Sequence, residues 1–281
     1  MEQSKAMTLE QIREVAPSAL AVHPHESRSD RYLYIPTLDV IRGMQDAGFY
    51  PVSARESKAR DITKVGYTKH MVRFRNVTER LTKGDTLAEV VLINSHDGSC
   101  AYILLAGLLR CVCDNQMCVP DGTIEGVHVR HSGNLIEEVV TGSRRIMGQL
   151  PEVVETSQQW QTINLTPQEQ DVFAQSAHTL RFGDSQGNVD TTIKPSQLLQ
   201  ARRYDDNGSD LWHTFNRVQE NALKGGLRGD RLRDASGSVL RDENGRRVPR
   251  ERTREIKGID QDVRLNKALW QLAESMAKLK S

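Results

Sequence analysis

Residues Leu87–Asn94, LAEVVLIN, run into Ser95-His96-Asp97-Gly98-Ser99 and then into Cys100–Leu109, CAYILLAGLL. An apolar, β-branched octapeptide followed by an Asp-Gly pair and a second apolar run predicts two antiparallel strands joined by a tight turn, the return strand ending near Ala106. The segment 107–120, GLLRCVCDNQMCVP, reads as a further strand, although Leu108, Leu109, Val112 and Met117 also fit a buried helix, and Thr123–Arg130, TIEGVHVR, reads as a short strand by alternation. On the other side, GYTKHMVRFRNV at 66–77 alternates as a strand too. At Asn134 the period changes. Leu135, Val139, Ile146, Leu150 and Val153 recur at helical spacing behind an Asn134 cap and predict one long amphipathic helix. The fold class is therefore α+β, a central antiparallel sheet backed by a long helix, with a helical C-terminal region.

Around this centre the termini read as helices. Thr8 and Gln11 form a capping box, and Thr37 caps a helix carrying Leu38, Val40, Ile41 and Met44, with Gly48 at its left-handed end. Thr166-Pro167 opens another helix that runs to Gly183, Pro195 opens a short one, and Asp210–Lys224 makes a third before Gly225-Gly226. Residues 227–257 are rich in Gly, Arg and Asp and read as an exposed loop or hairpin, with no internal repeat. The last helix, Asp260 to Leu279, places Val263, Leu265, Leu269, Leu272 and Met276 inward. Trp212, Phe215 and Trp270 are assigned to packing between these helices and the sheet. The expected organisation is an N-terminal stretch 1–53, an α+β core 54–165 and a helical region 166–281.

No apolar run approaches the ~20 residues of a membrane span, and the first residues lack an export signal. All four cysteines fall between Cys100 and Cys118, so reduced thiols and a cytoplasmic chain are expected. Their spacing lacks paired CxxC knuckles, and His128-x-x-His131 in a strand splits its rings between faces, so no metal site is expected. Asn94–Ser99 offers Ser, His and Asp together, but adjacent residues in a tight turn do not assemble a triad. They are read as a structural turn without catalytic role. Neither GxxxxGK[ST] nor GxGxxG occurs, so no nucleotide cofactor is implied.

Net charge is +1, yet the charges are segregated. Between Ala54 and Lys83 nine basic residues face three acidic ones, and between Lys224 and Lys257 eleven face six. Alternation in the 66–77 strand sets Tyr67, Lys69, Met71, Arg73 and Arg75 on one side, cations at multiples of about 6.6 Å, comparable to phosphate spacing. With Arg80 and Lys83 beyond the strand, Arg246 and Arg247 in the later loop, and Tyr67 for base stacking, they form a candidate surface for single-stranded DNA.

The stretches VVLINSHDGSCAY, GLLRCVCDNQM, LWHTFNRVQENALKGG and VRLNKALWQLAE resemble, in order and spacing, a phage-, prophage- and plasmid-borne family known as a domain of unknown function, of the 932 type. The resemblance implies a gene of a mobile element. More remotely, strands followed by a long helix are similar to the Rad52-like single-strand annealing proteins of phages, which implies ATP-independent annealing or recombination and a homo-oligomeric ring or filament. The leading expectation is thus a non-enzymatic, single-stranded-DNA-binding protein. The alternatives are an anti-defence protein that binds a host factor, and a hydrolase using His96 and Asp97.

Overall fold

The computed structural model describes residues 6–28, 34–76, 82–83, 86–111, 115–120, 126–129 and 134–280. It is an α+β fold built on an antiparallel sheet. Its strands are β1 (Phe49–Glu56), β2 (His70–Asn76), β3 (Thr82–Lys83), β4 (Thr86–Asn94), β5 (Tyr102–Arg110), β6 (Asn115–Cys118) and β7 (Val127–Val129). The order is β1-β2-β4-β5-β6, with β3 on β4 and β7 on β5. The helices are α1 (Leu9–Val15), α2 (Thr37–Asp46), α3 (Leu135–Trp160), α4 (Pro167–Phe182), α5 (Leu211–Lys224) and α6 (Ile259–Lys280). Among the described residues no helix is long and apolar enough to cross a membrane. The packing divides the chain into two compact units, residues 1–156 with 257–263, and residues 157–256 with 264–281.

In the first unit β4 and β5 pair from Thr86↔Arg110 to Ile93↔Ile103, and Gly98 closes the intervening turn at φ 77°. The return strand does not end at Ala106. It continues to Arg110 through Gly107, and β6 then pairs back onto its second half. One side of the sheet carries Val72, Phe74, Val90, Leu92 and Leu104, all fully buried, and α3 approaches it so closely that a Cβ at Gly142 would meet Leu104 at 2.9 Å. Leu135, Val139, Ile146, Leu150 and Val153 are buried along that helix as their spacing requires. The opposite side carries Met71, Val91, Ile93 and Leu105, which pack with Cys118 and with Ile259 at the start of α6. Both faces are covered, so every residue of β4 is buried.

Thr8 and Gln11 make the expected capping box on α1. Thr37 does not cap α2, because Pro36 takes the cap position without a side-chain bond and the Thr37 hydroxyl is spent in the core.

In the second unit Thr166 and Glu169 form a capping box on α4, and Asp210 caps α5 through the His213 N–H. Every residue of α5 from Leu211 to Leu223 except His213 is buried. Its polar side chains pin surrounding chain. Asn221 donates to the Leu198 and Gln200 carbonyls, Arg217 to those of Asp206 and Gly208, and Gln219 to Asn266. These bonds explain a helix rich in polar residues that nevertheless sits inside. Trp212, Phe215 and Trp270 are buried as expected, and within this unit they cluster with Trp160 at the end of α3, Trp160 and Trp270 lying 4.6 Å apart.

Candidate nucleic-acid interface

The expected basic face of β2 is real as a pattern, but it is not a surface. Arg73 is only 1% exposed. Its Nε donates to Glu89 Oε2 at 2.6 Å, and Nη2 donates to the Met117 and Leu108 carbonyls at 2.8 and 3.3 Å. Arg75, two residues on and on the same side, donates through Nε and Nη2 to Glu89 Oε1 at 2.8 and 2.7 Å. Glu89 on β4 is fully buried and compensates both guanidinium groups. Burial opposes the charge on Arg73, yet the adjacent Glu89 raises its pKa overall. Opposite Glu89 stands Gly107, where a Cβ would come within 2.7 Å of Arg73 Nη2. A glycine there leaves the guanidinium room to reach β6.

Arg73 therefore cannot track phosphates, and Arg75 is committed to the same carboxylate. Lys69 donates to both Asp260 oxygens, at 2.7 and 2.8 Å. Arg55 likewise pairs with Asp262. The first turn of α6 thus lays two carboxylates over the face that was expected to receive DNA. Tyr67 is half-buried, its hydroxyl 3.0 Å from His23 Nδ1 and its ring packed on His23 and His25. Arg80 lies outside the described residues, and of Lys83 only the backbone is described, paired with Thr86.

Arg246 and Arg247 are exposed, and neither side chain has an ion pair among the described residues. They stand on an ordered scaffold, because the segment holds a tandem octapeptide that the sequence reading overlooked. Arg233–Leu240 (RDASGSVL) and Arg241–Val248 (RDENGRRV) fold alike. In each, the leading arginine donates to the glycine carbonyl at 2.6 Å, Arg233 to Gly237 and Arg241 to Gly245. In each, the aspartate Oδ1 accepts two backbone N–H groups, those of Ser236 and Ser238 for Asp234 and those of Asn244 and Arg246 for Asp242. The glycines have φ of 82° and 73°, which a side chain would strain. Leu240 N bonds to Leu232 O and Val248 N to Leu240 O, stacking the turns at the eight-residue period. A third Asp-x-x-Gly turn, at Asp184, is built the same way.

A second constellation that the sequence reading left apart lies under β2 and β4. Thr37 Oγ1 is 2.9 Å from His70 Nε2, 3.1 Å from His96 Nε2, 3.1 Å from the Tyr102 hydroxyl and 3.2 Å from Asn94 Nδ2. All five residues are fully buried. His70 Nδ1 faces the Thr68 carbonyl at 3.1 Å and must carry the proton, so Nε2 accepts from Thr37. Tyr102 donates to the Ile35 carbonyl, leaving His96 and Asn94 as donors to the threonine oxygen. A second proton on His70 would face a hydroxyl whose acceptor capacity is already used. Burial accordingly pushes the His70 pKa down from 6.5 to about 4. The fold holds this histidine neutral, so its contribution is complete above pH 6.5 and is lost as pH falls toward about 4, where the unfolded chain alone takes up the proton. Melting followed against pH should show a loss of about 3 kcal/mol across that window. His70→Gln should remove that segment of the profile, and a flat parental profile would contradict the assignment.

The neighbouring turn shares none of this chemistry. Asp97 Oδ1 accepts the Ser99 N–H at 3.0 Å, and Oδ2 lies 3.4 Å from Lys64 Nζ. Burial works against its charge, but the Ser99 hydrogen bonds and Lys64 bring its pKa to about 2. His96 and Asp97 thus serve separate contacts. Cys118 is buried, Cys100 half-buried and Cys111 exposed, all as free thiols, while Cys113 and His131 lie outside the described residues. Among the described residues no group of three or more His, Cys, Asp or Glu side chains is placed to hold a metal.

Comparison with known proteins places these features in a family. The chain is 37% identical over 276 residues to the UPF0380 proteins YafZ and YfjQ of Escherichia coli strain K12, covering 98% of this chain and 93% of each relative. No solved structure matches it. The family model described as a domain of unknown function, DUF932, matches residues 24–270, and the chain belongs to that family.

Proposed function

We propose that this protein binds single-stranded DNA through the arginine-bearing turns of residues 227–257. The observation that carries the reading is the tandem octapeptide. Its aspartates are tied to backbone N–H groups, while Arg246 and Arg247 stand exposed on a hydrogen-bonded frame, without an ion pair among the described residues. A guanidinium presented this way meets a phosphate with two parallel donors and without first breaking an internal ion pair. The excess of eleven basic over six acidic residues between Lys224 and Lys257 adds a sequence-independent attraction. Contacts to backbone phosphates alone make binding tolerant of sequence, as strand pairing requires. ATP-independent annealing by a homo-oligomer of a mobile element is the finer form of this proposal, since many protomers along one strand repeat the same contact.

Fluorescence anisotropy with a labelled oligothymidylate and with a duplex of equal length tests it, alongside annealing of complementary strands without ATP and measurement of oligomer size. Salt-sensitive binding that favours the single strand is expected. Absence of binding at low salt would remove the proposal.

A further inference from the structure

A cleft of about 830 Å³ opens in the first unit where α6 begins. Its walls are the chain after β1, the 3-10 turn at Ile62–Lys64, the residues leading into β2, the β4–β5 turn and residues Lys257–Gln261. Five cations line it, namely Lys58, Arg60, Lys64, Lys69 and Lys257. The carboxylates that share the cleft are already engaged. Glu56 accepts the Ser18 N–H and hydroxyl, Asp61 the Thr63 N–H and hydroxyl, Asp97 the Ser99 N–H, and Asp260 the Lys69 ammonium. Lys58 and Arg60 are exposed. The first i→i−4 bond of α6 runs from Asp262 N to Gly258 O at 3.0 Å, so the N–H groups of Ile259, Asp260 and Gln261 have no acceptor within the helix.

A helix start and a set of lysines would not by themselves make a site. The independent sign is Thr68, which lines the same cleft, is 93% buried, and has an Oγ1 with no hydrogen-bond partner among the described residues. A buried hydroxyl left unpaired costs stability that a hydrophobic isostere would not. A ligand oxygen in the cleft would supply the missing partner.

We propose that this cleft binds the phosphate of a nucleotide-sized ligand, with the start of α6, Lys58, Arg60 and Thr68 around the phosphate. Helix N–H groups and converging cations are the usual recognition chemistry of a phosphate. The volume exceeds what inorganic phosphate fills and lies in the range of sites for small organic ligands. Asp260 is largely exposed while it holds Lys69, so an incoming phosphate can take over that ammonium without uncovering a buried carboxylate.

Calorimetric titration with thymidine monophosphate, thymidine and inorganic phosphate tests the inference on the full chain. The nucleotide should bind, inorganic phosphate should compete more weakly, and thymidine should not bind. Lys58→Ala with Arg60→Ala should weaken the nucleotide about tenfold or more. Thr68→Val should weaken it about threefold to tenfold while melting no lower than the parent. Equal binding of thymidine, no binding of the nucleotide, or parental affinity in the Lys58/Arg60 variant would overturn the proposal. An Arg246→Ala, Arg247→Ala variant separates this site from the DNA-binding turns. It should keep the nucleotide affinity, and a loss there with none at Lys58 and Arg60 would assign the phosphate to the turns instead.

Discussion

Glu89→Ala is expected to destabilise the protein by about 3–5 kcal/mol, the cost of leaving a buried ion pair without one partner. The removed carboxylate is the common acceptor of Arg73 and Arg75, and the arginine next to it is 1% exposed, out of reach of bulk solvent that would compensate the lost charge. Glu89→Gln should recover little of the loss, because its amide is nearly the same shape but leaves the guanidinium charges uncompensated. A triple replacement of Arg73, Arg75 and Glu89 by apolar residues of similar volume should be far closer to the parent than either single variant. Denaturant midpoints of the four proteins check this. A Glu89→Ala protein within about 1 kcal/mol of the parent would show that the cluster is not structural.

Trp270→Ala should cost about 3–5 kcal/mol, as a large-to-small change in a packed core. Trp270 is fully buried, 4.6 Å from Trp160 and 5.9 Å from Phe215 by ring centroids, and its indole N–H donates to Glu274 at 3.1 Å. Removing it strips one side of Trp160 and Phe215 of the ring they pack against. Thermal or denaturant unfolding measures the loss. A variant that melts like the parent but no longer binds DNA would turn this tryptophan into a ligand contact.

The elements of the fold were legible because their signals are local. LAEVVLIN with Asp97-Gly98 marks its own hairpin, and the spacing from Leu135 to Val153 marks its own helix. The site was harder to read, since alternation says which side chains share a face but not what covers it. Arg73 and Arg75 do share a side with Met71, as the pattern requires, yet that side packs on Ile259, nearly two hundred residues later in the chain. A hint was present in Glu89, an acidic residue inside an otherwise apolar strand. A charge in that position needs a partner of opposite sign, and two arginines at i and i+2 on the adjoining strand are that partner. Thr37 misled for a related reason, because a threonine before an amphipathic helix is ordinarily a cap, and only the tertiary fold brings two histidines to its hydroxyl. The octapeptide repeat R-D-x-x-G-x-x-[LV], by contrast, stood in the sequence and needed only self-comparison to find. What its aspartates hold was hidden, since their pairing with backbone N–H groups depends on the turn geometry.

The proposed contact between the exposed guanidinium groups of the tandem turns and DNA phosphates is read out by the salt dependence of oligothymidylate affinity in the parent and in an Arg246→Ala, Arg247→Ala variant. Both residues are exposed, and among the described residues neither side chain holds an ion pair, so the variant should melt as the parent does. If each contacts one phosphate, the log–log slope should flatten by about 1.4 and the affinity should fall at every salt concentration. A folded variant with parental affinity and parental slope would contradict the claim.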